Sequence, residues 1–473
     1  MGNQKKHISF VKISYVTVTI LLIAALFYNQ ILPPTINLII KIAAVLLLIG
    51  LFLIKVKKFI LITLSVLLAL ASGTLFYSQY AFDRLINQEN KEIDVVTLVV
   101  LKDSPLASLS DLKDVKIGFA DQMAAPLVTY ITKKINEKAS SFVSIHADDD
   151  LSNLDKLMNK SIDVMVLDNS LRDTLIEAVP DFETKTKVIA TIQKVTIKDD
   201  TSIPVDTSNH PFIVLISGVD TRQAGAVADK ARSDVNILMV INPLTRQVLT
   251  ISIPRDTYTP LGCRGGAMDK LTHSGVYGID CTVKTIENLF SIKINYYVKV
   301  NFTAFVNIVN VLGKINVYSK YAFTTTKYVS YSKHYTFKVG MNLMNAEQAL
   351  FFSRERHAFT GSDVQRGLNQ QEVIKGMINK VTEPATLLKI ESLISVASKS
   401  VDTNFSVEAV MKLVQNQLSS STAWTISPSA LTGKADYQPT YSMGSRLLYV
   451  SWPDQTILKE LQGRIKVIMT VIH

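Results

Sequence analysis

The chain has 473 residues, 48% hydrophobic and only 19% charged, with a mean hydropathy of +0.23. That composition excludes a disordered chain, and the length exceeds a single ordinary domain of about 150 residues. The formal charge of +10 does not point to nucleic acid: Lys5, Lys6, Lys12, Lys41, Lys55, Lys57 and Lys58 all precede the first acidic residue, Asp83, and without these seven only +3 remains.

Those lysines flank three hydrophobic blocks. Ile13–Leu32 and Phe59–Tyr80 carry no charge, and each reaches the length of about 20 residues that crosses a bilayer core. Between them, Ile31–Ile54 is interrupted by Lys41, which can snorkel to an interface. Three transmembrane helices are therefore expected within residues 1–82, with a re-entrant middle block as the alternative. Successive blocks argue against a cleaved signal peptide. Lysines before the first block and in the Lys55–Lys58 turn orient the N-terminus to the cytoplasm. The expected localisation is a multi-pass cell-membrane protein whose large C-terminal part is extracellular.

Residues 93–200 alternate short β-rich runs (Val95–Leu101, Val115–Phe119, Val164–Leu167, Lys187–Ile192) with helical patterns at Pro126–Glu137 and Leu151–Met158. This predicts a small α/β accessory domain with a partly parallel sheet. Leu109–Phe119 and Ile162–Asp168 resemble a half-lobe of periplasmic solute-binding proteins, although a spacer or interaction unit without a ligand is the favoured reading. Asp199–Pro211 is polar, contains Pro204 and Pro211, and reads as a linker.

A larger unit, 208–473, follows. Strands are predicted at Phe212–Ile216, Val235–Ile241 and Gln247–Ile253, and helices at Ile279–Phe290, Phe302–Leu312, Ala346–Phe352 and Asp363–Val381. The fold class is α/β, an α-β-α domain with a mixed central sheet. Cys263 and Cys281 are the two cysteines. In an oxidising compartment they could close a modest loop, but the sequence leaves their pairing open. The histidines are scattered, and Walker A, nucleophile-elbow and dinucleotide fingerprints are absent from the sequence.

The chemistry is expected in the arginines. Of twelve in a lysine-rich chain, eight fall between Arg222 and Arg366: Arg222, Arg232, Arg246, Arg255, Arg264, Arg354, Arg356 and Arg366. Planar guanidinium forks suit phosphate or carboxylate, although structural ion pairs would account for some of them. Arg354 and Arg356 would share a face in an extended stretch, as would Arg232 and Asp234. Arg366 and Gln370 would project together from a helix opened by a Ser362–Gln365 capping box. Asp220 and Asp234 stand at strand ends, where two carboxylates can hold Mg²⁺ or Mn²⁺, or else pair with Arg222 or Arg232.

An ordered set of motifs carries a resemblance: Gly218-Val219-Asp220-Thr221-Arg222, Arg232-Ser233-Asp234, Ser252-Ile253-Pro254-Arg255-Asp256, Asp269-Lys270-Leu271-Thr272-His273, Val300-Asn301-Phe302, Glu347-Gln348-Ala349-Leu350, Arg354-Glu355-Arg356, and Arg366 with Gln370-Gln371. From about Asn209 to the C-terminus the chain resembles the LytR–CpsA–Psr family of Gram-positive cell-envelope proteins, and among them the streptococcal capsule-locus members. The resemblance implies a phosphotransferase that moves capsular polysaccharide, or a related glycopolymer, from undecaprenyl pyrophosphate onto peptidoglycan. A polyprenyl pyrophosphate phosphatase side activity belongs to the same expectation. The polyprenyl tail would occupy an apolar tunnel. Asp220 and Asp234 would bind Mg²⁺, Arg232, Arg255, Arg354, Arg356 and Arg366 with Gln370 would hold the pyrophosphate, and Arg255, Arg354 and Asp234 would be catalytic. The implied partners are the lipid-linked polysaccharide, peptidoglycan, the membrane and other capsule assembly proteins, with no nucleic acid. The alternative is a regulator of capsule assembly, length or expression. Two places depart from the family pattern: Leu312-Gly313-Lys314 and the loop Thr360–Gln365.

Overall fold

The computed structural model describes residues 10–28, 34–53, 57–86, 91–139, 141–197, 201–219, 230–360, 362–387, 390–420 and 422–470. The chain opens with helices α1 (Phe10–Tyr28), α2 (Pro34–Leu53) and α3 (Lys58–Ile86). Two of these are long and apolar enough to cross a membrane, Phe10–Tyr28 and Lys58–Tyr77. The expected third span is corrected: among the described residues the apolar helix within α2 is the shorter Asn37–Gly50, and it carries the charge of Lys41.

The next unit is a five-stranded sheet of β1 (Lys91–Leu101), β2 (Lys113–Ala120), β3 (Ser141–Ala147), β4 (Val164–Asp168) and β5 (Thr186–Ile197), in the order β3-β2-β4-β1-β5. It is partly parallel: β2 runs parallel to β3 and β4, while β1 is antiparallel to β4 and β5. Helices α4 (Ala125–Asn136), α5 (Asp150–Met158), α6 (Arg172–Ala178) and α7 (Phe182–Lys185) accompany it. Leu127, Ile131 and Ile135 of α4 are buried at helical spacing against Val96, Ile117 and Val164 of the strands.

The larger unit is built on a six-stranded mixed sheet. Its strands are β6 (Phe212–Val219), β7 (Ser233–Asn242), β8 (Gln247–Ser252), β11 (Tyr296–Asn301), β16 (Val401–Thr403) and β17 (Thr425–Ala430). Their order is β16-β11-β6-β7-β8-β17, with β11 parallel to β6 and β17 parallel to β8. The connecting segments hold β9 (Tyr258–Pro260), β10 (Met268–Lys270), β12 (Ile315–Ser319), β13 (Phe323–Thr324), β14 (Thr336–Phe337) and β15 (Gly340–Met344). The helices are α8 (Leu271–Ser274), α9 (Ile279–Phe290), α10 (Phe302–Leu312), α11 (Ala346–Arg354), α12 (Ser362–Val381), α13 (Pro384–Leu387), α14 (Ile390–Ser400) and α15 (Val407–Leu418). A hairpin of β18 (Gly433–Pro439) and β19 (Leu447–Pro453), then α16 (Gln455–Met469), complete the unit.

Alternation along the strands divides the sheet into two faces. Ile213, Leu215, Leu238 and Val240 pack with Ile286 of α9 and Leu461 of α16, whereas Phe212, Val214, Ile237 and Met239 face Ile374 of α12 and Ala409 of α15. Helices therefore cover both sides, the expected α-β-α arrangement. Cys263 and Cys281 form a disulfide that ties the loop after β9 to α9.

Candidate functional site

Asp234 owes its position to a β-bulge. Val219 pairs with Ser233 and Gly218 with Val235, so Asp234 has no partner residue on β6. A bulge of this kind turns a side chain out of the ladder, and bulges recur beside functional sites. Gly218 makes it possible: a Cβ there would meet the Val235 Cβ at 2.7 Å. The Asp234 carboxylate accepts from Arg255 Nη1 at 3.3 Å and from the Thr272 hydroxyl at 2.8 Å. Burial alone would raise its pKa, but Arg255 and Arg232, then Thr272 and Arg366, hold it below the ordinary carboxylate value.

Around it lies the arginine cluster. Arg255 follows β8 and is held at 3.8 Å from Asp256 and 4.0 Å from Asp363. Asp363, in the first turn of α12, lies 3.2 Å from Arg366 and 3.8 Å from Arg356. One carboxylate thus stands among three guanidiniums at a helix N-terminus, where negative charge is stabilised. Gly367 lets this end of α12 approach β8, since a Cβ there would lie 2.3 Å from the Ser252 hydroxyl. Arg255 Nε and Arg366 Nε are buried without a hydrogen-bond partner. Such donors are costly unless something accepts from them, and a phosphate oxygen is a fitting acceptor. Burial works to lower the pKa of both arginines. At Arg255 the charges of Asp234, Asp256 and Asp363 reverse this, whereas Arg366 stays lowered.

Arg354 is corrected in its setting: it is the last residue of α11, and the chain turns extended only at Glu355. Its guanidinium lies 4.2 Å from the centroid of the Phe302 ring. Glu355, fully buried, receives the backbone N–H groups of Thr326, Arg356, His357 and Ala358, which fixes the turn between the two arginines. Gln370 donates to the Ser353 carbonyl at 3.3 Å. The predicted capping box is also corrected. Ser362 is already helical, and the Gln365 amide donates forward to Asn369 at 2.9 Å.

Asp234, Arg255, Arg354, Arg356, Arg366 and Gln370 line one cavity of about 450 Å³ between the sheet and α10, α11 and α12. Its other walls are mostly apolar, among them Ile216, Val235, Ile237, Val298, Phe305 and Met377, with Asn301 and Ser353 as polar exceptions. A polar end with four guanidiniums and an apolar body suits an amphiphile carrying an anionic head.

Not every predicted residue joins this group. Arg232 is absent from the cavity lining and pairs with Glu177 of α6, although its charge still acts on Asp234. Arg246 instead braces Asn416 and Gln417, and Arg264 lies over the Tyr277 ring. Asp220 and Arg222 fall outside the described residues. Among the described residues no group of three or more His, Cys, Asp or Glu could hold a metal ion, so Asp234 is the one predicted ligand in view. Its ionised oxygens are of the hard type that Mg²⁺ takes. Thr272 and Glu355 stand in the sequence motifs without an assigned role, and Asp363 was overlooked although it is detectable as the i, i+3 partner of Arg366 on a helix.

Residues 179–462 match the model of the LytR_cpsA_psr family. The chain is 36% identical over 227 residues to the polyisoprenyl-teichoic acid–peptidoglycan teichoic acid transferase TagU of Bacillus licheniformis, covering 45% of this chain and 70% of that protein. It is 37% identical over 212 residues to the protein of the same name from Bacillus subtilis, covering 45% of this chain and 65% of that protein, which is less than two thirds of its length. Among solved structures, Bacillus subtilis TagV aligns with a TM-score of 0.46 and 28% identity, covering 55% of this chain and 98% of that one. With more than half of its length inside the family match, this chain belongs to the LytR–CpsA–Psr family.

Proposed function

We propose that the chain is a membrane-anchored, extracellular phosphotransferase that moves capsular polysaccharide, or a related glycopolymer, from undecaprenyl pyrophosphate to peptidoglycan. The observation that carries this reading is one cavity joining four guanidiniums to an apolar body. A pyrophosphate would lie on Arg255, Arg354, Arg356 and Arg366 with Gln370, and the polyprenyl chain along Ile216, Val298, Phe305 and Met377. The relatives' printed activity, transfer of a polyisoprenyl-linked teichoic acid to peptidoglycan, supports the same reaction class. The apolar helices α1 and α3 support anchoring. The Cys263–Cys281 disulfide, a bond that persists in oxidising compartments, supports an extracellular catalytic unit.

The acceptor hydroxyl oxygen attacks the phosphorus bonded to the donor sugar. A new P–O bond forms, the bridging P–O bond breaks, and polyprenyl monophosphate leaves. The proton passes to a nearby carboxylate or to water. The arginines spread the charge that builds on the non-bridging and leaving oxygens, and preorganised charge of this kind is the main source of acceleration in phosphoryl transfer. Asp234 with Asp220 would hold Mg²⁺ or Mn²⁺, which supplies further charge neutralisation when bound. Meanwhile Thr272 and Arg255 orient the Asp234 carboxylate. Hydrolysis by water at the same phosphorus gives a phosphatase side activity.

A second reading, regulation of capsule assembly, draws on the Arg232–Glu177 pair. That pair links the 91–197 unit to a residue whose charge acts on Asp234. The test that separates the two is transfer of a polyprenyl-pyrophosphate-linked glycan to peptidoglycan by the purified full chain. Transfer that Arg354→Ala abolishes supports the enzyme. Binding of the carrier without turnover leaves the regulator.

A further inference from the structure

The β18–β19 hairpin turns one face inward and leaves the other open. On the inward face Val450 is fully buried, and beside it the half-exposed Trp452 packs edge-on against Tyr258 at 4.8 Å and donates its indole N–H to Asp436. Tyr258 donates to the Pro439 carbonyl, and Ser451 N donates to the carbonyl of Asp256, the residue after Arg255. A parallel bridge between Thr257 and Ser451 adds to this brace. The hairpin is therefore fixed rigidly beside the arginine cluster.

On the open face, Tyr437 and Tyr449 sit directly opposite each other in the ladder, and Leu447 lies two residues along. They are 64%, 46% and 61% exposed, and the two rings are 6.0 Å apart at 79°. Exposed aromatic groups of this size on a braced scaffold mark a contact surface. Flat rings that carry a hydroxyl suit a ligand that is apolar on its faces and polar at its edges, as a pyranose is. Asp256 and Asp363 lie close enough to Tyr449 that, after burial, their charges add to its raised pKa. The platform thus begins at the edge of the anion site.

The sheet order indicates which sugar it serves. The cavity is lined from β11, β6 and β7, Arg255 follows β8, and the hairpin is held to Asp256 and Thr257, the two residues after Arg255. Attacking and leaving oxygens stand roughly in line across the phosphorus. With the lipid phosphate leaving toward the cavity, the attacking hydroxyl enters from the hairpin side. We infer that the Tyr437–Tyr449 face docks the acceptor, a glycan strand of peptidoglycan, and so presents its hydroxyl to the phosphorus.

This inference rests on the proposed transferase reading, and its test is separable from it. Binding of soluble glycan strands, freed of stem peptides, is measured with the full chain in detergent micelles and without any lipid carrier. Tyr437→Ala should weaken binding about tenfold, the scale of one lost aromatic stack, while Tyr437→Phe, which keeps the ring, should bind like the wild type. Thermal melting reports whether both variants are folded. Wild-type affinity in Tyr437→Ala, or a wild-type chain that binds no glycan strand, would overturn the assignment. So would a loss seen only with the polyprenyl-linked donor polymer. Phosphate release by the wild type from polyprenyl pyrophosphate is followed separately. Its absence would count against the transferase reading and not against the platform.

Discussion

Arg255 and Arg366 each bury an Nε without a hydrogen-bond partner, and that unmet demand is what a phosphate oxygen would satisfy. Replacing either by Ala should lower the transfer rate at least about a hundredfold, as removal of one preorganised donor does elsewhere. Arg255→Lys should recover only part of it, because an ammonium lacks the planar fork. Steady-state transfer rates of the three variants check this. Asp234 gives a pH signature. Its folded pKa lies below the ordinary carboxylate value. Its contribution to stability is therefore fully present above that ordinary value and is lost as pH falls through the folded one. Melting temperatures across the acid range should show this loss in the wild type and a weaker one in Asp234→Asn.

At the scale of elements, the bulge in β7 and the first turn of α12 do the positioning. Gly218→Ala would force a Cβ to within 2.7 Å of the Val235 Cβ. Overpacking of that kind costs about 1–3 kcal/mol and would shift the bulge, so both melting temperature and transfer rate should fall. Cys281→Ala opens a loop spanning 18 residues, and a loop near that length is worth about 3 kcal/mol in the chain-entropy account. Denaturant unfolding of the variant measures it.

Much of this scale was legible in the sequence. The strands Phe212–Ile216, Val235–Ile241 and Gln247–Ile253 and the helices at 279–290, 302–312 and 346–352 stood out as apolar runs or helical periodicity, and all are present. Edge strands were harder. β17 reads TISPSA and β18 reads GKADYQP, with proline and polar residues that local propensity assigns to turns. They are strands because β8 and β19 supply the hydrogen bonds. The arginines were legible as a set by residue type. Which of them meet was not, because Arg246, Arg264 and Arg232 find partners in α15, at Tyr277 and in α6 that are distant in sequence.

Across the whole molecule, the two α/β units meet at charged and buried polar groups. Lys230 pairs with Asp94 and Glu92, Arg232 with Glu177, and Gln122 donates to the Tyr441 carbonyl. A small cavity at this junction is lined by Asp150, Asp168, Gln122, Lys230, Arg264 and Tyr277 among others. Burial first, then Asp168 and Asp149, push Asp150 up to about 8. The folded chain therefore holds a proton that the unfolded chain releases near the ordinary carboxylate value. Stability should fall as pH rises from that value toward about 8 and level off above it. Asp150→Asn should flatten this limb in a series of thermal melts.

If one guanidinium-lined, apolar-bodied cavity carries phosphoryl transfer, the reaction must fail when that cavity loses its central arginine. The most direct measurement supplies the full chain in detergent with a polyprenyl-pyrophosphate-linked glycan and peptidoglycan strands. It follows the phosphorus label into the strand for the wild type and for Arg255→Ala, with and without a chelator. Label entering the strand only with wild-type protein and divalent metal is the predicted result. Transfer that persists undiminished in Arg255→Ala would contradict the assignment of the chemistry to this cavity.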